Sequence, residues 1–299
     1  MTAKNNTAGP VQHSMPTAKS SFQKKLERGK FVFTVETHLP KGTDLSEVMA
    51  NAKLLEGSVD AYNIPDNTRS VMKIGGIGVC RLLLEEGFEP IWQVACKDRN
   101  QLALQSDLLS GWVLGIRNVL ALTGDPPQVG DHPNAKKVFE FESVKLIKLI
   151  HNLNAGFDEA GNTLKGSTNY FVGATFNPNY SNQDRAIRKA EAGARFFQSQ
   201  LVFDSAKFIE ESAKIRQTGA KILAGIIPIQ SAKMAHFLAK KVPGVRVPDS
   251  LVKEIGASDN PEKTGIEIAR RTIGEIRKHC DGIHVMPLKR QELVLELVD

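Results

Sequence analysis

What most constrains the fold of this chain is an alternation. Eight short apolar runs recur along it, and amphipathic segments lie between them. The runs are Phe31–Glu36, Val59–Asn63, Pro90–Ala95, Arg117–Leu122, Tyr170–Thr175, Arg195–Gln200, Ile222–Ile226 and Gly282–Met286. They are rich in Val, Ile, Leu and Phe, as strands covered on both faces must be. The intervening stretches carry helix punctuation. "DLSEVMANAKLLEG" opens at Asp44, a candidate N-cap, and stops at Gly57, while "FDSAKFIEESAKIRQTG" stops at Gly219. Strand–helix repetition of this kind closes into a (β/α)8 barrel, an α/β fold in a single domain. The alternative is an open doubly wound sheet, which normally carries a glycine-rich phosphate turn after its first strand. Here that turn reads "VETHLPKG". The glycines of "GGIGVC" fall inside a helical segment and do not supply one.

The 299 residues suffice for one such barrel. The first 20 are rich in Ser, Thr, Asn and Lys and lack the apolar centre of a signal peptide, so residues 1–22 are expected to be a flexible tail and 23–299 the barrel. No apolar run reaches the roughly 18–20 residues of a membrane span. The three cysteines form no CxxC or Cys/His metal spacing, which suits a reduced, cytoplasmic protein with no metal site. The net charge of +6 is spread along the chain without basic blocks. That argues against nucleic acid and suits anionic cofactors or substrates.

Barrel enzymes place their chemistry at the C-terminal ends of their strands. Polar residues gather there: Glu36, then Asn63 and Asp66, Gln93, Asp125, Asn177, and Gln200. A single Asn or Asp after a strand is usually a turn former or a cap. Glu36 differs, because it ends an apolar strand and not a turn. A partly desolvated Glu has a raised pKa and can act as a general acid. Asp125 is fixed between a glycine and two prolines in "LTGDPP", which restricts the loop that carries it.

With those residues in view, the chain resembles the methylenetetrahydrofolate reductase family from about Phe31 onward. The motifs are "FTVETHLPKG", "GIRNVLALTGDPP", "RKAEAGARFFQSQLVFD", "AGIIPI" and "HVMPLKR". Their spelling is most like members known from acetogens or fused to homocysteine methyltransferase domains. The resemblance implies a barrel that holds FAD noncovalently and reduces 5,10-methylenetetrahydrofolate to 5-methyltetrahydrofolate, in one-carbon metabolism leading to methionine or acetyl-CoA. It implies catalytic roles for Glu36, the acid that opens the folate ring, and for Asp125, a carboxylate beside flavin and pterin. Gln200 and Arg290 match folate-contacting positions. Asn63, Asp66, Gln93, Asp125, Asn177 and Lys189 fall where the flavin is held.

The resemblance has departures. Asn63-Ile64, Gln93 and Asn177-Pro178 stand where the better-known bacterial members have Thr-Tyr, His and Tyr-Pro. Ala232 stands where a Phe stacks on the nicotinamide nucleotide. The electron donor is accordingly expected to be NADH, NADPH or an iron–sulfur or flavin partner subunit, and family members commonly form homo-oligomers. Two other readings compete: a flavin-free pterin-binding methyltransferase, and a barrel subunit of a larger redox complex.

Overall fold

A computed structural model describes residues 19–298. Its elements run α1 (Ser21–Glu27), β1 (Val32–Glu36), α2 (Ser46–Leu54), β2 (Ala61–Ile64), α3 (Gly76–Glu85), β3 (Pro90–Ala95) and α4 (Gln101–Val113). There follow β4 (Asn118–Leu122), α5 (Ser143–Asn154), β5 (Phe171–Phe176), α6 (Asp184–Glu191), β6 (Phe196–Leu201), α7 (Ser205–Arg216) and β7 (Lys221–Ile226). The last crossover holds α8 (Ala232–Lys241), α9 (Asp249–Gly256) and α10 (Pro261–Ile276) before β8 (Gly282–Val285) and α11 (Leu295–Val298). The eight strands pair in sequence order, all parallel, and β8 closes on β1. The expected barrel is therefore the fold, with each strand end within two residues of its expected position.

Period-2 alternation divides each strand between two environments. One set of side chains, among them Val35, Ile64, Trp92, Val119, Phe197 and Ile283, joins the outer helices in the largest apolar cluster. The other set fills the barrel in layers. The lowest layer is apolar: Val32, Ala61, Ile91, Leu120, Phe171, Phe196 and Leu223. Gly173 belongs to this inner stripe because nothing larger fits; a Cβ there would lie 2.2 Å from the Phe196 ring.

The N-terminal mouth is stoppered by α1, which corrects the expected tail. Residues 1–18 lie outside the described residues, but Ser21 opens a helix and Phe22 and Leu26 are fully buried beneath the apolar layer. Phe22 packs edge-on against Phe171 and Phe196, with ring centroids 6.0 and 5.3 Å away. Ser20 caps the helix, accepting from Gln23 N, and donates to Asn118 Oδ1 at 2.7 Å. Phe22→Ala would leave a cavity where the ring fills the barrel floor. It is expected to lower the unfolding free energy by about 3–5 kcal/mol in urea titrations. A loss below about 1 kcal/mol would mean that the stopper is dispensable.

Candidate active site

Above the apolar floor the inner stripe turns polar. Asn63 and Gln198 exchange amide hydrogen bonds across the barrel at 2.7 and 3.0 Å. Gln198 Nε2 also donates to Thr34 Oγ1 at 3.4 Å, and Thr34 Oγ1 lies 3.0 Å from His284 Nδ1. Thr34 therefore links the Gln198 amide to the His284 imidazole inside the barrel. The other ring nitrogen of His284, Nε2, lies 3.8 Å from Glu36 Oε2. Gln93 Nε2 donates to the same carboxylate oxygen at 3.2 Å. All of these residues except Glu36 are buried; the Glu36 side chain keeps 30% of its exposure. Glu36 thus stands at the mouth of the barrel with one donor, Gln93, and the His284 ring beside it.

Two cavities open at the C-terminal mouth, and Glu36 and Met286 line both. The first, of about 410 Å³, spreads over the ends of β3 to β6. Its walls combine apolar Leu120, Leu122 and Phe176 with Gln93, Asn177 and Gln200. Two cations line its α6 side. Lys189 is buried, and its Nζ donates to the Thr175 carbonyl at 2.6 Å. Burial, reinforced by Arg185 one helical turn earlier and opposed by Glu142, lowers its pKa to about 8. Arg185 is exposed and donates to Glu142 Oε2 at 3.1 Å, so Lys189 is the buried cation of this wall. The second cavity, of about 480 Å³, lies between the loops that follow β1, β2 and β8.

The family model described as methylenetetrahydrofolate reductase matches residues 21–299. The chain belongs to the methylenetetrahydrofolate reductase family. It is 24% identical over 238 residues to the 5,10-methylenetetrahydrofolate reductase of Pectobacterium carotovorum, covering 76% of this chain and 72% of that protein. It is 25% identical over 218 residues to methylenetetrahydrofolate reductase 2 of Schizosaccharomyces pombe, covering 67% of this chain. The match spans only 34% of that relative's length. Among solved structures, an uncharacterized protein from Clostridium thermocellum that binds two copies of 5-methyl-5,6,7,8-tetrahydrofolic acid superposes with a TM-score of 0.68. That likeness is one of fold: identity is 13%, over 93% of this chain and 97% of that one.

Of the residues that the resemblance to methylenetetrahydrofolate reductases singled out, five meet at the first cavity: Glu36, Gln93, Asn177, Lys189 and Gln200. Asn177 also ties the α8–α9 loop, donating to the Gly244 carbonyl at 2.9 Å. Gln200 Oε1 accepts from Leu201 N at 2.9 Å.

Four others line neither cavity. Asn63 is committed to Gln198 inside the barrel. Buried Asp66 accepts from Ala95 N at 2.9 Å and from Arg99 Nη1 at 2.6 Å, which ties the β2 loop to the end of β3. Arg290 makes a double hydrogen bond to Glu262, at 2.7 and 3.2 Å, and pairs with Glu292. Asp125 is exposed, and its Oδ2 accepts from Arg69 N at 3.1 Å while its carbonyl accepts from Ser70 Oγ at 2.6 Å. Arg69 and Ser70 are left-handed, with φ of 55° and 52°, so Asp125 holds a strained turn of the β2–α3 loop. Gly130 completes that contact, since a Cβ there would meet the Ser70 carbonyl oxygen at 1.8 Å.

His284 and Arg185 were not singled out from sequence, though signals existed. His284 sits two residues before Met286 on the inner stripe of β8, and Arg185 stands one helical turn before Lys189. Among the described residues no cluster of His, Cys, Asp and Glu could hold a metal, and no helix is long and apolar enough to cross a membrane.

Lys189 has a consequence for stability. Its folded pKa of about 8 lies below the ordinary lysine value of 10.5, so above about pH 8 the unfolded chain binds more protons at this site. This group's contribution therefore rises with pH through that window and is flat below it. Lys189→Met is expected to abolish the rise. Urea midpoints of wild type and variant should converge between pH 7 and pH 10 if burial of the charge is costly; a constant difference would contradict it.

Proposed function

We propose that this chain catalyses the flavin-dependent reduction of 5,10-methylenetetrahydrofolate to 5-methyltetrahydrofolate, with FAD as the flavin. The observation that carries the reading is Glu36, an acid on the rim of both cavities, backed by Gln93 and His284. The first cavity suits a flavin nucleotide: Lys189 offers a cation for its phosphates, while Gln93 and Asn177 offer amide edges beside apolar walls. When bound, the flavin supplies the hydride for the reaction.

The remaining chemistry falls to side chains. Opening the five-membered ring of the folate requires a proton on the departing nitrogen, and Glu36 delivers it. The N–H group of Gln93 then stabilises the carboxylate left behind. That carboxylate in turn faces the iminium cation formed by ring opening and stabilises it before hydride arrives. Gln200, on the rim of the same cavity, can donate to and accept from the polar edge of the pterin.

Electrons reach the flavin from NADH or NADPH, or from a partner subunit with redox centres. Ala232, at the family's nicotinamide-stacking position, lines neither cavity, which favours a donor held differently. The proposal extends to a cytoplasmic homo-oligomer: Leu102, Leu109 and Val113 expose one apolar face of α4 that can be covered by another subunit.

Glu36→Gln separates the two halves of the reaction. The variant is expected to bind flavin and accept electrons normally, yet to lose about 10²–10⁴-fold in folate reduction. Folate turnover at the wild-type rate would remove Glu36 from the mechanism.

A further inference from the structure

The pairing of β6 with β7 does not keep one register. Gln198 lies opposite Leu223 and Leu201 opposite Gly225, so three steps along β6 match two along β7. Ser199 and Gln200 fall inside this bulge. A bulge leaves its extra residue off the ladder and bends the strand, and such bends re-aim side chains beside active sites. Both Ser199 and Gln200 line the first cavity.

One buried hydroxyl closes the bulge. Ser199 Oγ accepts from Gly225 N at 2.9 Å and donates to the Gln200 carbonyl at 2.7 Å. It thereby joins β7 to the displaced backbone of Gln200. Only glycine fits opposite. A Cβ on Gly225 would lie 2.5 Å from the Ser199 carbonyl oxygen and 3.1 Å from that of Gln200. The Gln200 amide is oriented as well. Its Oε1 accepts from Leu201 N at 2.9 Å, where pairing with β7 resumes, and no described residue accepts from its Nε2.

We propose that Ser199 is a positioning residue for pterin binding, which through the bulge holds the Gln200 amide ready at the first cavity. This inference rests on the folate-reductase reading above, in which Gln200 meets the pterin. An amide fixed before the ligand arrives loses less freedom on binding, so the benefit is read as affinity. Removing the hydroxyl leaves the buried N–H of Gly225 without its partner and unties the Gln200 carbonyl, which releases the bulge. Since Ser199 acts through Gln200, its effect should vanish once the Gln200 side chain is gone.

Titration calorimetry of the full chain loaded with FAD, using 5-methyltetrahydrofolate as the probe, tests this in Ser199→Ala, Gln200→Ala and the double variant. Ser199→Ala is expected to weaken the probe by about tenfold and to leave the affinity for FAD unchanged. The double variant should bind the probe no more weakly than Gln200→Ala alone. Steady-state kinetics should place the loss in KM for the folate substrate and not in kcat. Ser199→Cys keeps a weak acceptor at the same place and should lose less than the alanine variant; it carries the same cycle should Ser199→Ala not fold. Unaltered affinity for the probe would overturn the proposal. So would a loss in the double variant equal to the sum of the single losses, or an affinity for FAD that falls in step with that for the probe. Those results leave the reductase reading standing, whereas a wild-type protein that binds no 5-methyltetrahydrofolate overturns both.

Discussion

The site depends on a change of character inside the barrel. The floor is apolar and stoppered by Phe22, and the layer above it is a closed set of hydrogen bonds running Asn63, Gln198, Thr34, His284. Buried amides and imidazoles are tolerable only when their hydrogen bonds are satisfied. Here the hydrogen bonds run from one member of the layer to the next, and the His284 ring ends the layer 3.8 Å from Glu36. The polar layer thereby fixes the position of the one acid on the rim of both cavities. Without it Glu36 would be a solvated carboxylate on a loop edge, free to adopt many rotamers.

Around that acid the mouth divides by charge and by rigidity. On one side a lysine is buried on α6 with its pKa lowered to about 8, a cost to the folded protein that a bound anion would offset. On the other side the β2–α3 loop is pinned by Asp125 and by Gly130, so that Arg69 stays at the cavity in a conformation the backbone does not favour. Both features, the buried ammonium and the left-handed Arg69, lie at the mouth where the two cavities open.

How much of this was legible in sequence follows from the range of the interactions. The strands were legible because each is an uninterrupted apolar run, and the barrel because the runs alternate with helices. The stopper helix was not: α1 has seven residues, and Phe22 is a lone aromatic at the end of a polar stretch. Glu36, Gln93, Asn177, Lys189 and Gln200 were found because strand ends and amphipathic helices place such residues at the mouth. Asn63 and Arg290 could not be sorted the same way. Whether a polar side chain is available depends on partners such as Gln198 and Glu262, which lie far along the chain or on another element. Asp125 shows the reverse case. The glycine and prolines around it correctly marked a carboxylate under restraint, but its hydrogen bond goes to the neighbouring loop.

In the proposed reaction, reduced flavin in the first cavity delivers its electrons to a folate activated by Glu36. The direct measurement is anaerobic. Protein loaded with FAD and reduced chemically is mixed with 5,10-methylenetetrahydrofolate, and the flavin spectrum is followed alongside the folate product. The oxidised flavin bands are expected to return as 5-methyltetrahydrofolate forms, one for one. Reduced flavin that stays bleached in the presence of saturating folate, or methyl product formed by flavin-free protein, would contradict it.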